Sequence, residues 1–210
     1  MSVTKVKKNN PIIVGQPVLL VIDIQKGCFL QRPANSSLEF MKDDSASYLK
    51  ARTMIDAARA ADVPVIFIQE IHRKNLIDYG RELDGDENIH CLDGQPGTPL
   101  AVEEMGIRED DYIIQKRRYS AFYGSELEIL LKGLKAQTLI MVGGFTDVCI
   151  HYSFVDGHQG DYHCRVAVDC VAGSSQAAHD ASLVAMEYLQ HGALRSSEEL
   201  IAAMQAHGAP

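Results

Sequence analysis

No stretch of about 18 consecutive apolar residues occurs in this chain, so nothing in it reads as a membrane-spanning helix. No apolar core follows the N-terminal Lys5, Lys7 and Lys8 before Asn9-Asn10-Pro11, so no signal peptide is read. Positive charge is in short supply: 20 basic residues against 28 acidic ones give a net charge of -8. Outside the N-terminal lysines and the Lys116-Arg117-Arg118 run the basic residues are scattered, so no footprint for nucleic acid or a membrane surface is present. No two cysteines are spaced Cys-x-x-Cys, and the five of them (Cys28, Cys91, Cys149, Cys164 and Cys170) are an odd number. A reduced, cytoplasmic protein is the simplest account. Tryptophan is absent, and neither an internal repeat nor a low-complexity tract is found.

What is present is enough for one core. The chain has 210 residues, 46% hydrophobic and 23% charged, which fits one soluble domain over residues 17–210 after a polar, flexible arm at 1–16. Val18 to Gln25 is a near-continuous apolar run, as expected of a strand covered on both faces. Further strands are predicted at Val65 to Gln69, Tyr112 to Gln115, Leu139 to Val142, Cys164 to Val168 and Ala193 to Arg195. Between them lie helical patterns near 46–61, 99–105, 126–134, 148–158 and 174–190, with a last helix from Ser197. Gly27 to Ser47 reads as loop. Glu70 to Pro99 is a long polar connection carrying Arg73, Arg81, Glu82, Asp84 and Asp86, and a connection of that length is usually functional. Strands alternating with helices predict a parallel sheet with helices on both faces, a three-layer α/β sandwich.

In such sheets ligands bind outside the carboxyl ends of the strands. Three reactive groups fall there: Asp23, Lys116 and Cys149. Cys149 follows the apolar strand and the Gly143-Gly144 hinge, at the first turn of a helix. Unpaired N–H groups and the helix dipole at that place favour a thiolate, so a thiol drawn from about 8.5 toward neutrality is expected. Each residue also has a plain alternative: an inert core cysteine, a turn-capping aspartate, a solvated lysine. Their shared location favours a site.

The segments Val21-Ile-Asp23-Ile-Gln-Lys-Gly-Cys-Phe29, Gln115-Lys116-Arg-Arg-Tyr-Ser-Ala-Phe122 and Val142-Gly-Gly-Phe-Thr-Asp-Val-Cys149-Ile resemble the Asp-Lys-Cys pattern of the isochorismatase-like cysteine hydrolases. That superfamily includes nicotinamidases, N-carbamoylsarcosine amidohydrolases and ureido-amide hydrolases. Val166-Ala-Val-Asp169-Cys170 is similar to the family's strand ending in Asp. The resemblance spans roughly Val18 to Leu189. It implies a six-stranded parallel sheet of order 3-2-1-4-5-6, a homo-oligomer (dimer or tetramer), and a small-molecule substrate. It also implies a cis peptide at Gly144-Phe145 and an oxyanion hole from the Phe145 and Cys149 amides.

On that resemblance Asp23 is the proton shuttle, Lys116 its electrostatic partner, and Cys149 the nucleophile, in hydrolysis of a small amide or ureido C–N bond through a thioester. Phe29, Glu70, Tyr119 and Phe122 are candidates for the substrate pocket. An alternative is isochorismatase-type vinyl-ether hydrolysis, which Cys149 argues against because that branch often lacks the cysteine. A third is a metal-assisted, nicotinamidase-like amidase. Nicotinamidases carry Asp-x-His and a later His-Cys pair that bind a divalent metal; here Glu70-Ile-His72 and His90-Cys91 stand at those places. Glu replaces Asp and tryptophan-rich surroundings are missing, so no cofactor is expected, with Glu70, His72 and His90 as the residues that would hold a metal. His158, His163, His179, His191 and His207 show no metal-ligand spacing. A binding protein that kept the fold without turnover is the non-enzymatic alternative; retention of Asp23, Lys116 and Cys149 speaks against it.

Overall fold

A computed structural model describes residues 11–30, 41, 44–85 and 87–208. Six parallel strands form one sheet in the order β3-β2-β1-β4-β5-β6. They are β1 (Gln16–Ile22), β2 (Val65–Glu70), β3 (Tyr112–Lys116), β4 (Ala136–Gly144), β5 (His163–Ala172) and β6 (Leu194–Arg195). The helices are α1 (Asp44–Ala60), α2 (Val102–Met105), α3 (Leu127–Gly133), α4 (His151–Gln159), α5 (Gln176–Leu189) and α6 (Ser197–His207). No described helix is long and apolar enough to cross a membrane.

The period-2 alternation of β1 divides the core. Leu19 and Val21 face one layer, with Tyr48, Met54 and Ile55 of α1 and Leu200 and Met204 of α6. Val18, Leu20 and Ile22 face the other, with Leu127 and Leu131 of α3 and Phe154 of α4. Both faces are apolar because both are covered, which is why the strand reads as a run rather than as an alternation. At the central seam Gly143 has φ +118°, and a Cβ there would lie 2.0 Å from the Ile22 carbonyl oxygen. Only glycine permits that approach of β4 to β1.

Several boundaries differ from the sequence expectation. β1 stops at Ile22, because Asp23 turns left-handed at φ +54°. β5 runs on to Ala172 past a bulge, in which the register passes from Met141↔Val166 to Gly143↔Val171. Asp169, inside that bulge, accepts from the Ser197 amide (2.8 Å) and hydroxyl (2.7 Å) and so holds the start of α6. Ser125 accepts from the Leu127 amide at 3.1 Å, and α3 starts at Leu127. Residues 11–16, expected within a flexible arm, are tied down. Arg165 is buried and donates to the Pro11 and Ile12 carbonyls, while Thr138 bonds both the amide and the carbonyl of Val14. Paying the desolvation of a guanidinium requires such carbonyl partners, and the arm supplies them. Residues 1–10, most of the predicted 27–47 loop, and Asp86 lie outside the described residues.

Candidate active site

β2 and β3 bring an acid and a base to one point. Glu70 and Lys116 are register partners at the carboxyl ends of their strands. Partners directly across a ladder point to the same face. The ladders Ile66-Ile68-Glu70 and Ile114-Lys116 therefore run from apolar core to a charged rim on the α3–α4 side. Lys116 is 1% exposed, which rules out a solvated role. Its ammonium donates to Glu70 Oε2, lies 2.9 Å from Asp23 Oδ2, and lies 3.4 Å from Cys149 Sγ.

Asp23 reaches this point through its left-handed backbone, a conformation in which Asp is enriched among non-glycine residues. Both carboxylate oxygens are buried, and neither has a hydrogen-bond partner among the described residues. The contact with Lys116, at 2.9 Å, is an ion pair. Burial raises the Asp23 pKa to about 6; Lys116 opposes the rise and Glu70 adds to it.

Cys149 lies in a wide π-type turn, Thr146–Ile150, that links β4 to α4. The Val148 and Ile150 amides both donate to the Phe145 carbonyl, each at 3.1 Å. The Gly144–Phe145 peptide is cis. The surroundings work against the expected acidic thiol. Burial pushes the Cys149 thiol well up; Lys116 works against this, and Asp23 and Glu70 reinforce it. The reason is local: two carboxylates and a dry environment outweigh one ammonium and a helix end. Sγ lies 3.8 Å from Glu70 Oε2, in position to donate its hydrogen to it.

Glu70 is itself buried. Burial disfavours its charge, yet Lys116 and the imidazoles of His72 and His90 hold it well below the usual carboxylate range. Its second oxygen, Oε1, lies 2.8 Å from His90 Nε2 and 3.5 Å from His72 Nε2. His72 is buried and stacked on Tyr79, with ring centroids 3.9 Å apart. Its Nε2 also lies 3.3 Å from Glu82 Oε2. Burial lowers the pKa of each imidazole, but the carboxylates win and lift both to about 9.

One donor atom from each of Glu70, His72, Glu82 and His90 lies within 4.8 Å of the others. Both ring nitrogens of His72 and both oxygens of Glu82 are buried with no hydrogen-bond partner among the described residues. Two imidazoles and two carboxylates, of which His72 and Glu82 have no hydrogen-bond partner among the described residues, fit a divalent transition metal. Glu82 appeared in the sequence only as one loop charge among several. No local pattern marks it, because a loop folding back on β2 brings it to His72.

The remaining pocket candidates separate. Tyr119 stacks on Tyr152 of α4 with centroids 5.9 Å apart, and its hydroxyl donates to Glu87 Oε2 at 3.3 Å. Phe29 ends a short 3-10 turn and packs half-buried against the α1-side core. Phe122 packs against Tyr162 (centroids 6.1 Å) and close to Gly157 beside Leu139 and Cys164, toward the amino end of β4.

With this geometry in view, comparison with known proteins is direct. The isochorismatase domain family model matches residues 17–199, and the chain belongs to that family. It is 30% identical over 137 residues to a protein named ureidoacrylate amidohydrolase RutB of Stutzerimonas stutzeri, covering 57% of this chain and 54% of that one. The chain thus spans about half the length of that relative. It is 26% identical over 137 residues to nicotinamidase 3 of Arabidopsis thaliana, covering 65% of this chain and 69% of that one. Among solved structures, a cysteine hydrolase from Pseudomonas syringae pv. phaseolicola superposes with a TM-score of 0.79 at 23% identity, covering 95% of this chain and 99% of the other. That likeness speaks for the fold alone.

Proposed function

We propose that this chain is a cysteine-dependent amidohydrolase cleaving a C–N bond of a small amide or ureido compound. One observation carries the reading: a single buried ammonium, Lys116, lies 2.9 Å from Asp23 and 3.4 Å from the Cys149 sulfur at the carboxyl rim of the sheet. Relatives named for amide hydrolysis support the choice of bond.

Because burial pushes the thiol pKa up, attack and proton loss go together. Asp23, with a pKa near 6 and free lone pairs, takes the Sγ proton as sulfur adds to the carbonyl carbon. Lys116 stays charged and holds the carboxylate beside the sulfur. The oxyanion is received by the backbone amides of Phe145 and Cys149. Collapse breaks the C–N bond, and Asp23 passes its proton to the leaving nitrogen. Water then gives a proton to Asp23 and its oxygen to the thioester carbon; the C–S bond breaks and the proton returns to sulfur.

A panel of small amides and ureido compounds scored for ammonia release, with Cys149→Ala as control, tests this. Loss of release in that variant is expected; full activity would sink the proposal. A second reading, favoured by the orphaned donors of His72 and Glu82, adds a divalent metal held by Glu70, His72, Glu82 and His90. Such an ion supplies a Lewis acid that orients or polarises the substrate. The roles of Asp23, Lys116 and Cys149 are the same in both readings.

A further inference from the structure

The turn carrying Cys149 is gripped from outside by the junction of β5 and α5. Thr146, wholly buried, shares a 2.8 Å hydrogen bond with Nδ1 of the buried His179 on α5. Asp147, the next residue, accepts from the Ser174 amide at 2.8 Å and from its hydroxyl at 2.6 Å. Gly173 makes the close approach feasible: a Cβ there would lie 2.7 Å from Asp147 Oδ1 and 2.9 Å from the His179 Cβ. Ser175 caps the helix through the Ala178 amide, fixing the first turn of α5, from which His179 projects. Two consecutive residues of the turn are therefore bonded to one separate, well-anchored element.

The turn needs such support. A π-type turn is rare, because its i→i+5 hydrogen bonds are less favourable than the α-helical ones. Here the Ile150 amide reaches back to the Phe145 carbonyl, five residues away, at 3.1 Å. Relaxation to α-helical register would drop that bond and rotate Cys149 about the helix axis, away from Lys116. Thr146 and Asp147 sit at the start of the turn, where holding two residues fixes the register of the rest.

We infer that His179 and Asp147 are positioning residues, which hold the nucleophile turn in its π register through the Thr146–His179 and Asp147–Ser174 hydrogen bonds. This rests on the amidohydrolase reading for its effect on turnover, but not for its effect on the turn. Neither residue touches the reacting atoms. His179 had no recognisable spacing in the sequence, and the function above does not use it.

The experiment compares His179→Ala with His179→Asn, whose side-chain amide can occupy the place of Nδ1 and restore the bond to Thr146. Hydrogen exchange of the peptide covering 145–152 is the first readout. Faster exchange is expected in His179→Ala, restored in His179→Asn, with thermal midpoint and exchange in β1 unchanged. Turnover is the second: kcat is expected to fall roughly 10- to 100-fold in His179→Ala with little change in KM, since a misplacement of about 1 Å can cost that much. Unchanged exchange in His179→Ala, or His179→Asn behaving like His179→Ala, overturns the inference. Faster exchange in a protein whose Cys149→Ala variant still hydrolyses fully would uphold the brace and remove the amidohydrolase reading instead.

Discussion

Two charged clusters share one carboxylate, Glu70, and they are completed differently. Around Lys116, Glu70 and Asp23 face a cation the chain itself provides. Around His72 the imidazole and the Glu82 carboxylate are equally buried, but their donor atoms lack hydrogen-bond partners among the described residues. The first cluster is partly compensated at rest, one ammonium against two carboxylates. The second depends on a borrowed charge: protons on His72 and His90, or a metal ion. Burial alone does not tell a finished site from one awaiting a ligand; the distinction lies in whether a cation of the chain's own already faces the carboxylates.

The largest expected effect breaks the first cluster. Lys116→Met leaves Asp23 and Glu70 facing each other in a dry site. A loss of about 3–5 kcal/mol is expected, as for removal of one partner of a buried ion pair, together with loss of turnover. Urea unfolding with a turnover assay measures both, and a variant as stable as the parent would contradict the compensation argument.

Next comes Glu70→Gln, which cuts the link between the clusters. Glu70 raises the pKa of both Asp23 and the Cys149 thiol. Its neutralisation should move the acid limb of kcat/KM below its parental position near pH 6 and speed alkylation of Cys149 at neutral pH. Slower alkylation in a folded variant would reverse the sign assigned to Glu70. The same variant should bind zinc or manganese more weakly than the parent in titration calorimetry, and equal affinity would exclude Glu70 from a metal site.

The smallest effect concerns protonation of the second cluster. In chelator-treated protein, His72 and His90 have pKa values lifted from 6.5 to about 9. The folded state then binds more protons than the unfolded one between those values. Their contribution is full below pH 6.5 and fades as the pH rises through about 9. Thermal midpoints across that window should decline, less so in His72→Gln. A flat profile would mean that these rings are not held by their carboxylates.

Much of the first cluster was legible beforehand. Asp23 and Lys116 stand at the ends of apolar runs and Cys149 a few residues past another, where an ionisable residue is noticeable against its neighbours. The second cluster was legible only in part. Glu70-Ile-His72 and His90 could be suspected, but Glu82 and His179 come to their partners through a loop and a helix that fold back from elsewhere. Phe122 could be read from the sequence only as an aromatic near Lys116; its packing against Tyr162 and beside Gly157 is set by the fold.

By itself the sequence determined the alternation of apolar runs and helical patterns, and with it a parallel sheet whose carboxyl rim holds an acid, an amine and a thiol. Tertiary structure alone decided that Glu70 lies across from Lys116, that burial pushes the Cys149 thiol up, and that α5 is bonded to the turn carrying Cys149. Strand register, desolvation and contacts between distant segments depend on which surfaces meet, and no local stretch of residues encodes that meeting.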